Sequence, residues 1–363
     1  MNLIGEEFLN EQKQLGNARR KGSPPVFPRN NNLEWLRLIF ATQVVINHTS
    51  ADMGFAIPRF IDSFPGVPAF FLVSGFLIYS SYLNSPGVRY FQNRFLRLYP
   101  GLIFVTFGGA AITLIAHGWR SLFSHALTYI AWFFGQLTLG QGYNPGLFRD
   151  VGVGVVNGSL WSLTVEMLFY LSVPLIVLLE RRFRFTVPVL FLLSFLLYAI
   201  GPSFWTTAIF REKTVFNFLE LTPLVWGWMF ASGILAAKYF IHLKRWIKYA
   251  PVLVLPMIGM ILWGPEPLFL INTLGNRPGI IYYLCYISMV LWLGFVVPYV
   301  HLSFDLSYGI YIWHAPVINL LLVLGIRSAP LVLALTFSIA TVSWFLVERP
   351  ALRRKRKSLH PVE

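Results

Sequence analysis

Apolar and polar positions along this chain are segregated into long blocks. From residue 33 onward eleven apolar windows follow one another, at roughly 35–53, 64–83, 99–118, 122–140, 160–179, 185–201, 221–241, 249–264, 279–300, 304–325 and 329–347. Most reach the ~17–25 residues that a helix needs to cross a bilayer. The pattern predicts an all-α, polytopic membrane helix bundle. The first 32 residues are different: polar, basic (Arg19, Arg20, Lys21, Arg29), with a Pro24-Pro25-x-x-Pro28 stretch and no apolar h-region. They read as a flexible cytoplasmic lead, not a signal peptide. Residues 33–350 are expected to form one membrane domain, and 351–363 a basic cytoplasmic tail. No internal repeat, heptad or low-complexity tract interrupts this division.

Charge decides how many windows cross. If all eleven span, Lys and Arg divide 13 to 15 between the two sides, which is no bias. If the window at 122–140 returns to its own side, every later loop changes sides and the division becomes 21 to 7. The positive-inside rule therefore predicts ten spans, both termini cytoplasmic, and an outer re-entrant or interfacial excursion over 122–158. Composition agrees with lipid as the main solvent: 56% of residues are apolar and 12% charged, against about 45–50% and about 25% in soluble domains. The net charge of +14 is then mostly an orientation signal, and no nucleic-acid partner is expected. A lone Cys285 excludes a disulfide scaffold and a thiolate zinc site. No two histidines have useful ligand spacing, so no metal is expected.

Ionisable groups at membrane depth are costly and are functional candidates by default. Arg37 and His48 lie eleven positions apart in the first window, which puts them on one helical face about 16 Å apart along the axis. That spacing suits a long ligand with a phosphate at the guanidinium and a reactive end at the imidazole. Arg37 snorkelling to headgroups, with His48 bonded to a neighbouring helix, is the plainer alternative. Arg94 and Arg97, three apart before Pro100, suit a diphosphate or a 3′-phosphate, or equally lipid headgroups. Ser159, Ser162, Glu166 and Tyr170 recur at steps of three and four and form a polar stripe, with the carboxyl about two turns deep. Glu166 is either a functional carboxylate or half of a structural ion pair. His314 precedes Pro316, which removes the helical donor from the Ile312 carbonyl; that kink alone would account for polar residues there.

Taken in order, these segments resemble the acyltransferase 3 family of multi-pass bacterial membrane O-acyltransferases, over about residues 33–350. Leu33-Glu34-Trp35-Leu36-Arg37 through His48 is similar to the family's opening helix. Phe70 to Ile78, with Ser74 and Gly75, resembles its second-helix segment, and Arg94-Phe95-Leu96-Arg97 its paired arginines. Ser159-Leu160-Trp161-Ser162-Leu163-Thr164-Val165-Glu166 resembles its Trp-Ser-Leu-x-x-Glu segment, and Ser307–Pro316 with Val347-Glu348-Arg349-Pro350 its closing segments. Glu34-Trp35 departs from a frequent Asp-Gly, and Thr49 from a more apolar residue. The chain ends thirteen residues after Pro350, so the form without an extracytoplasmic esterase-like domain is expected.

The resemblance implies transfer of an acyl group, expected to be acetyl, from acetyl-CoA to a hydroxyl of a carbohydrate acceptor. The acceptor would be lipid-linked or a growing surface polysaccharide such as O-antigen or exopolysaccharide, handled at the bacterial cytoplasmic membrane. Arg37, Arg94 and Arg97 would engage the donor's phosphates. His48 would take the acceptor proton or accept the acyl group itself, and Glu166 would orient the other ring nitrogen or stabilise the imidazolium. Ser74, Ser162, Tyr170, Tyr311 and His314 are the candidate substrate contacts. Two other readings stand beside this one. A polyprenyl-phosphate glycosyltransferase would use Asp52 or Asp62 in the first outer loop, and a proton-coupled exporter would use a relay of His48, Glu166 and Asp305.

Overall fold

The computed structural model describes residues 27–28, 30–204, 218–263, 270–273 and 275–355. Most of the predicted lead and the tail beyond residue 355 lie outside these. Among the described residues the chain is helical without strands: α1 (Leu33–Met53), α2 (Gly66–Asn84), α3 (Val88–His117), α4 (Ala126–Thr138), α5 (Leu160–Arg182), α6 (Thr186–Phe204), α7 (Pro223–Lys238), α8 (Phe240–Ile247), α9 (Val254–Trp263), α10 (Ile280–Phe295), α11 (Ser307–Val323), α12 (Ala329–Ser343), a π-helical turn (Trp344–Glu348) and α13 (Arg349–Arg353).

Among the described residues five stretches are long and apolar enough to cross a membrane: Arg59–Asn84, Val88–His117, Leu160–Arg182, Phe218–Lys238 and Ala329–Arg353. A bent pair, Phe240–Ile247 with Ala250–Leu262, would make six. Ten spans were expected, and the shortfall has local causes. α1 is long but carries Glu34, Arg37, Asn47, His48 and Asp52, which lower its mean hydropathy. The window at 249–264 is no single straight span, because its helix is ten residues long and meets the preceding one at 65°. Ile280–Phe295 and Ser307–Val323 are apolar but only 16 and 17 residues long. The window at 122–140 becomes α4, whose 13 residues reach about 20 Å, short of the ~30 Å hydrocarbon core. It packs Trp132 against Gly109 of α3.

Close packing fixes the bundle around α11. Every residue of α11 from Ser307 to Asn319 is buried, so its polar groups need protein partners. Pro316 leaves the Ile312 carbonyl without a helical donor, and Asn157 Nδ2 supplies one at 2.9 Å. Asn319 in turn holds the 152–156 loop: its Nδ2 donates to the Val155 and Val156 carbonyls at 2.8 and 3.0 Å, and its Oδ1 accepts from the Val153 amide at 2.9 Å. α2 and α7 touch through glycine: a Cβ on Gly75 would lie 2.0 Å from the Phe230 carbonyl oxygen, and one on Gly233 2.0 Å from that of Leu72. Gly75 thus allows two backbones to approach as no other residue would.

The start of α1 is tied to the end of α10 by Asn32. Its Nδ2 donates to the carbonyls of Leu293, Val297 and Pro298, and its Oδ1 accepts from the Val300 amide at 3.0 Å. At the other end Gly54, at φ +79°, closes the helix in the left-handed conformation. α1 lies beside α11 in parallel. Arg37 meets Asp305, just before α11 begins, and His48 meets His314 further along it.

Candidate active site

The face shared by Arg37 and His48 is the face that α1 turns to α11. At the arginine end Arg37 Nη1 and Arg97 Nη2 both donate to Asp305 Oδ2, at 3.1 and 2.6 Å. The second oxygen of Asp305 accepts from the Ser307 amide at 3.2 Å and from the Ser307 hydroxyl, so the carboxylate holds the first amide of α11 while it bridges the guanidiniums. Arg97 also lies over the Tyr308 ring. The π-helical turn before Pro350 carries the buried Glu348 toward this cluster; its Oε1 accepts from Ser343 Oγ at 2.9 Å, and its Oε2 has no partner among the described residues. Beyond the helices, burial and the guanidiniums of Arg97, Arg94 and Arg37 push the Lys355 ammonium down to about 7, against the pull of Asp305.

Arg94 and Arg97 do not form the single fork that their spacing suggested. Three residues separate them by about 60° around the helix, and the structure uses the difference. Arg97 faces Asp305, whereas Arg94 donates to Ser81 Oγ at 3.0 Å and lies against the rings of Tyr90 and Tyr170. Arg94 lines a cavity of about 610 Å³ together with Gln92, Tyr99, Tyr170 and Arg354.

Glu166 occupies the middle of the bundle. Tyr170 Oη and Ser74 Oγ both donate to its Oε1, at 2.6 and 3.2 Å. Its partners are hydroxyls, and among the described residues it forms no ion pair of the kind considered for it from sequence. One turn away Ser162 Oγ and Tyr311 Oη share a hydrogen bond of 2.6 Å. Arg37, Glu166, Ser162 and Tyr311 border a cavity of about 40 Å³, room for little more than a water.

No hydrogen bond joins Glu166 to His48, and the role expected for Glu166 in orienting that imidazole is not supported by the geometry. The Ser162–Tyr311 contact sets a common level; Glu166 lies four residues to one side of it and His314 three to the other, which separates the carboxyl from the imidazoles by about 10 Å along the axis. The ring beside His48 is His314, with centroids 4.9 Å apart and planes at 88°. His314 is fully buried, and among the described residues neither ring nitrogen has a hydrogen-bond partner. The three groups imagined as a proton relay, His48, Glu166 and Asp305, each have different neighbours. His48 also lines a second large cavity, about 470 Å³, with Asn47, Ser50, Arg59 and Asp62. Val67 borders both this cavity and the small central one.

Sequence reasoning did not find Asp305 as a bridge, nor Glu348, Lys355 and Asn157 as parts of the site's frame. Only the motif around Glu348 carried a signal, and it carried no partner.

Nodulation protein 10 of Rhizobium leguminosarum bv. viciae is 28% identical over 351 residues, covering 89% of this chain and 93% of that protein. An O-acetyl transferase of Shigella phage Sf6 is 26% identical over 358 residues, covering 91% and 98%. No solved structure matches the chain. A family model described as an acyltransferase domain matches residues 30–348, which includes α1, the arginine cluster, Glu166, α11 and Glu348, and the chain therefore belongs to the acyltransferase 3 family and is an acyltransferase.

Proposed function

We propose that the chain is an O-acetyltransferase of the bacterial inner membrane, with both termini cytoplasmic. In this reading it moves an acyl group, acetyl in particular, from acyl-CoA to a hydroxyl of a cell-surface carbohydrate such as O-antigen, exopolysaccharide or another lipid-linked glycan. The observation that carries it is the division of one buried helix pair into a cationic end and an imidazole end. Arg37 and Arg97 meet at one end and His48 and His314 at the other, with one small cavity between them. The name of the phage relative, an O-acetyl transferase, adds to it.

Arg37, Arg94, Arg97 and Lys355 hold the donor's phosphates, the Asp305 carboxylate occupying the guanidiniums until an anion arrives. The pantetheine arm runs past Glu166 and the Ser162–Tyr311 pair, which accept from and donate to its two amides. Because the central cavity is only about 40 Å³, the arm parts Phe70 and Tyr311 as it enters. At the far end the neutral His48 imidazole takes the proton of the acceptor hydroxyl as its oxygen attacks the thioester carbonyl. The ester C–O bond forms, the C–S bond breaks, and the imidazolium returns its proton to the departing thiolate, leaving the acetyl ester, free coenzyme A and neutral His48. His314, packed edge to face on His48, fixes the ring plane.

The test uses purified protein in lipid nanodiscs with radiolabelled acetyl-CoA and base-treated, de-O-acylated polysaccharide from the host. Wild-type protein is expected to label the polysaccharide and His48→Ala to lose labelling while remaining monodisperse. Unchanged labelling by folded His48→Ala would overturn the reading.

A further inference from the structure

The cavity of about 470 Å³ at the histidine end falls within the about 300–1,000 Å³ typical of small-molecule sites, and its wall is built as a polar reader. Asn47, the residue before His48, donates from Nδ2 to Asp62 Oδ1 at 2.9 Å. Asn47 Oδ1 is buried with no partner among the described residues, and Asp62, partly exposed, uses only Oδ1 in its side-chain hydrogen bond with Asn47. Two acceptor atoms thus stand unused beside the imidazole. A buried carbonyl oxygen left without a donor costs about 1–3 kcal/mol, so a ligand that donates hydroxyl protons there recovers what the folded protein forgoes.

The wall is also held rigidly. Gln43, one turn before Asn47, donates to the Ile61 carbonyl at 3.0 Å and accepts from the Gly66 amide at 2.9 Å. From α10, Tyr282 Oη donates to the Ser63 carbonyl and Tyr286 Oη to that of Pro65. These bonds clamp the segment on both sides of Asp62 to the bundle, so its carboxylate is aimed before any ligand arrives. Asn276 closes the opposite wall.

We propose that this cavity is the acceptor saccharide site, and that Asn47 and Asp62 accept from the hydroxyls flanking the one that His48 deprotonates. A run of three contiguous hydroxyls offers the two flanking donors that these oxygens lack, and its spacing decides which hydroxyl meets the imidazole. Asn47 and Asp62 are therefore specificity determinants as well as binding residues. The inference rests on the O-acyl-transfer reading above. It differs from the sequence-derived expectation, in which Ser74, Ser162, Tyr170, Tyr311 and His314 were the substrate contacts; the first four surround Glu166 or the narrow central cavity, and His314 packs on the His48 ring.

The experiment measures acetyl transfer to the de-O-acylated polysaccharide, the position of the new ester by NMR, and the KM values for acceptor and acetyl-CoA, in nanodiscs. Asp62→Asn and Asn47→Ala are expected to raise the acceptor KM tenfold or more, or to move the ester to another hydroxyl, with the acetyl-CoA KM unchanged. Should Asn47→Ala fail to fold, Asn276→Ala on the opposite wall gives the same readout, and Asp62→Asn preserves the shape of the pair. Folded variants with wild-type acceptor KM and ester position would overturn the site while His48→Ala remains inactive. Transfer retained by His48→Ala would instead overturn the underlying reading.

Discussion

The two guanidiniums that share one carboxylate allow a prediction with a magnitude. Asp305→Asn keeps the shape of the side chain and an oxygen to accept from the Ser307 amide, and removes only the charge between Arg37 and Arg97. Removing one partner of a buried ion pair costs about 3–5 kcal/mol, chiefly from the charge left behind. The side chains of Arg37, Arg97 and Asp305 are 21%, 12% and 11% exposed, so some solvent reaches the cluster and the lower figure, about 3 kcal/mol, is appropriate. That is about two powers of ten in the folding equilibrium. Thermal unfolding in detergent, followed by intrinsic tryptophan fluorescence, should show a clear fall in Tm for the variant. Adding coenzyme A should then stabilise the variant more than the wild type, because its phosphates restore the missing negative charge where the wild type already has one. A variant that melts with the wild type, or one that coenzyme A stabilises no more than the wild type, would refute the reasoning.

Other consequences are open to the same kind of test. Gly75→Ala puts a methyl 2.0 Å from the Phe230 carbonyl oxygen, and the forced separation of α2 and α7 is expected to cost at least about 1–3 kcal/mol, read as a lower Tm and a smaller monodisperse peak on size exclusion. Asn157→Leu leaves the Ile312 carbonyl without a donor and should cost about 1–3 kcal/mol; adding Pro316→Ala restores the helix's own N–H and should recover part of that loss, which a double-mutant cycle measures. The Lys355 ammonium is charged below about 7 and neutral above, so the KM for acetyl-CoA should rise as pH increases through that value, and Lys355→Met should flatten the profile.

What the sequence disclosed and what it concealed follow from the range of the forces involved. The Arg37–His48 face was legible because both residues lie on one helix, where spacing fixes direction; so was the Glu166–Tyr170 neighbour pair. The bridge from Arg37 and Arg97 to Asp305 was not, since it joins residues 268 and 208 positions apart and depends on how α1 and α3 lie against α11. His314 was found as a polar residue beside a proline, but its partner required the register of two helices. Asn157 answers the deficit that Pro316 creates, and the sequence showed the deficit without the donor. The bend between α8 and α9 escaped notice because hydropathy registers apolar length and is blind to direction.

The parallel contact of α1 with α11 acts as a ruler. Its two graduations are the salt cluster and the imidazole couple, eleven residues apart along α1 and nine apart between Asp305, just ahead of α11, and His314 within it. Inserting a single amino acid between the graduations of either rod would turn everything beyond it by about 100°, so one coincidence could survive only by forfeiting the other. Loops in such a molecule can lengthen freely, but these two intervals cannot, and any sliding that prised open one extremity would be felt at once at its opposite.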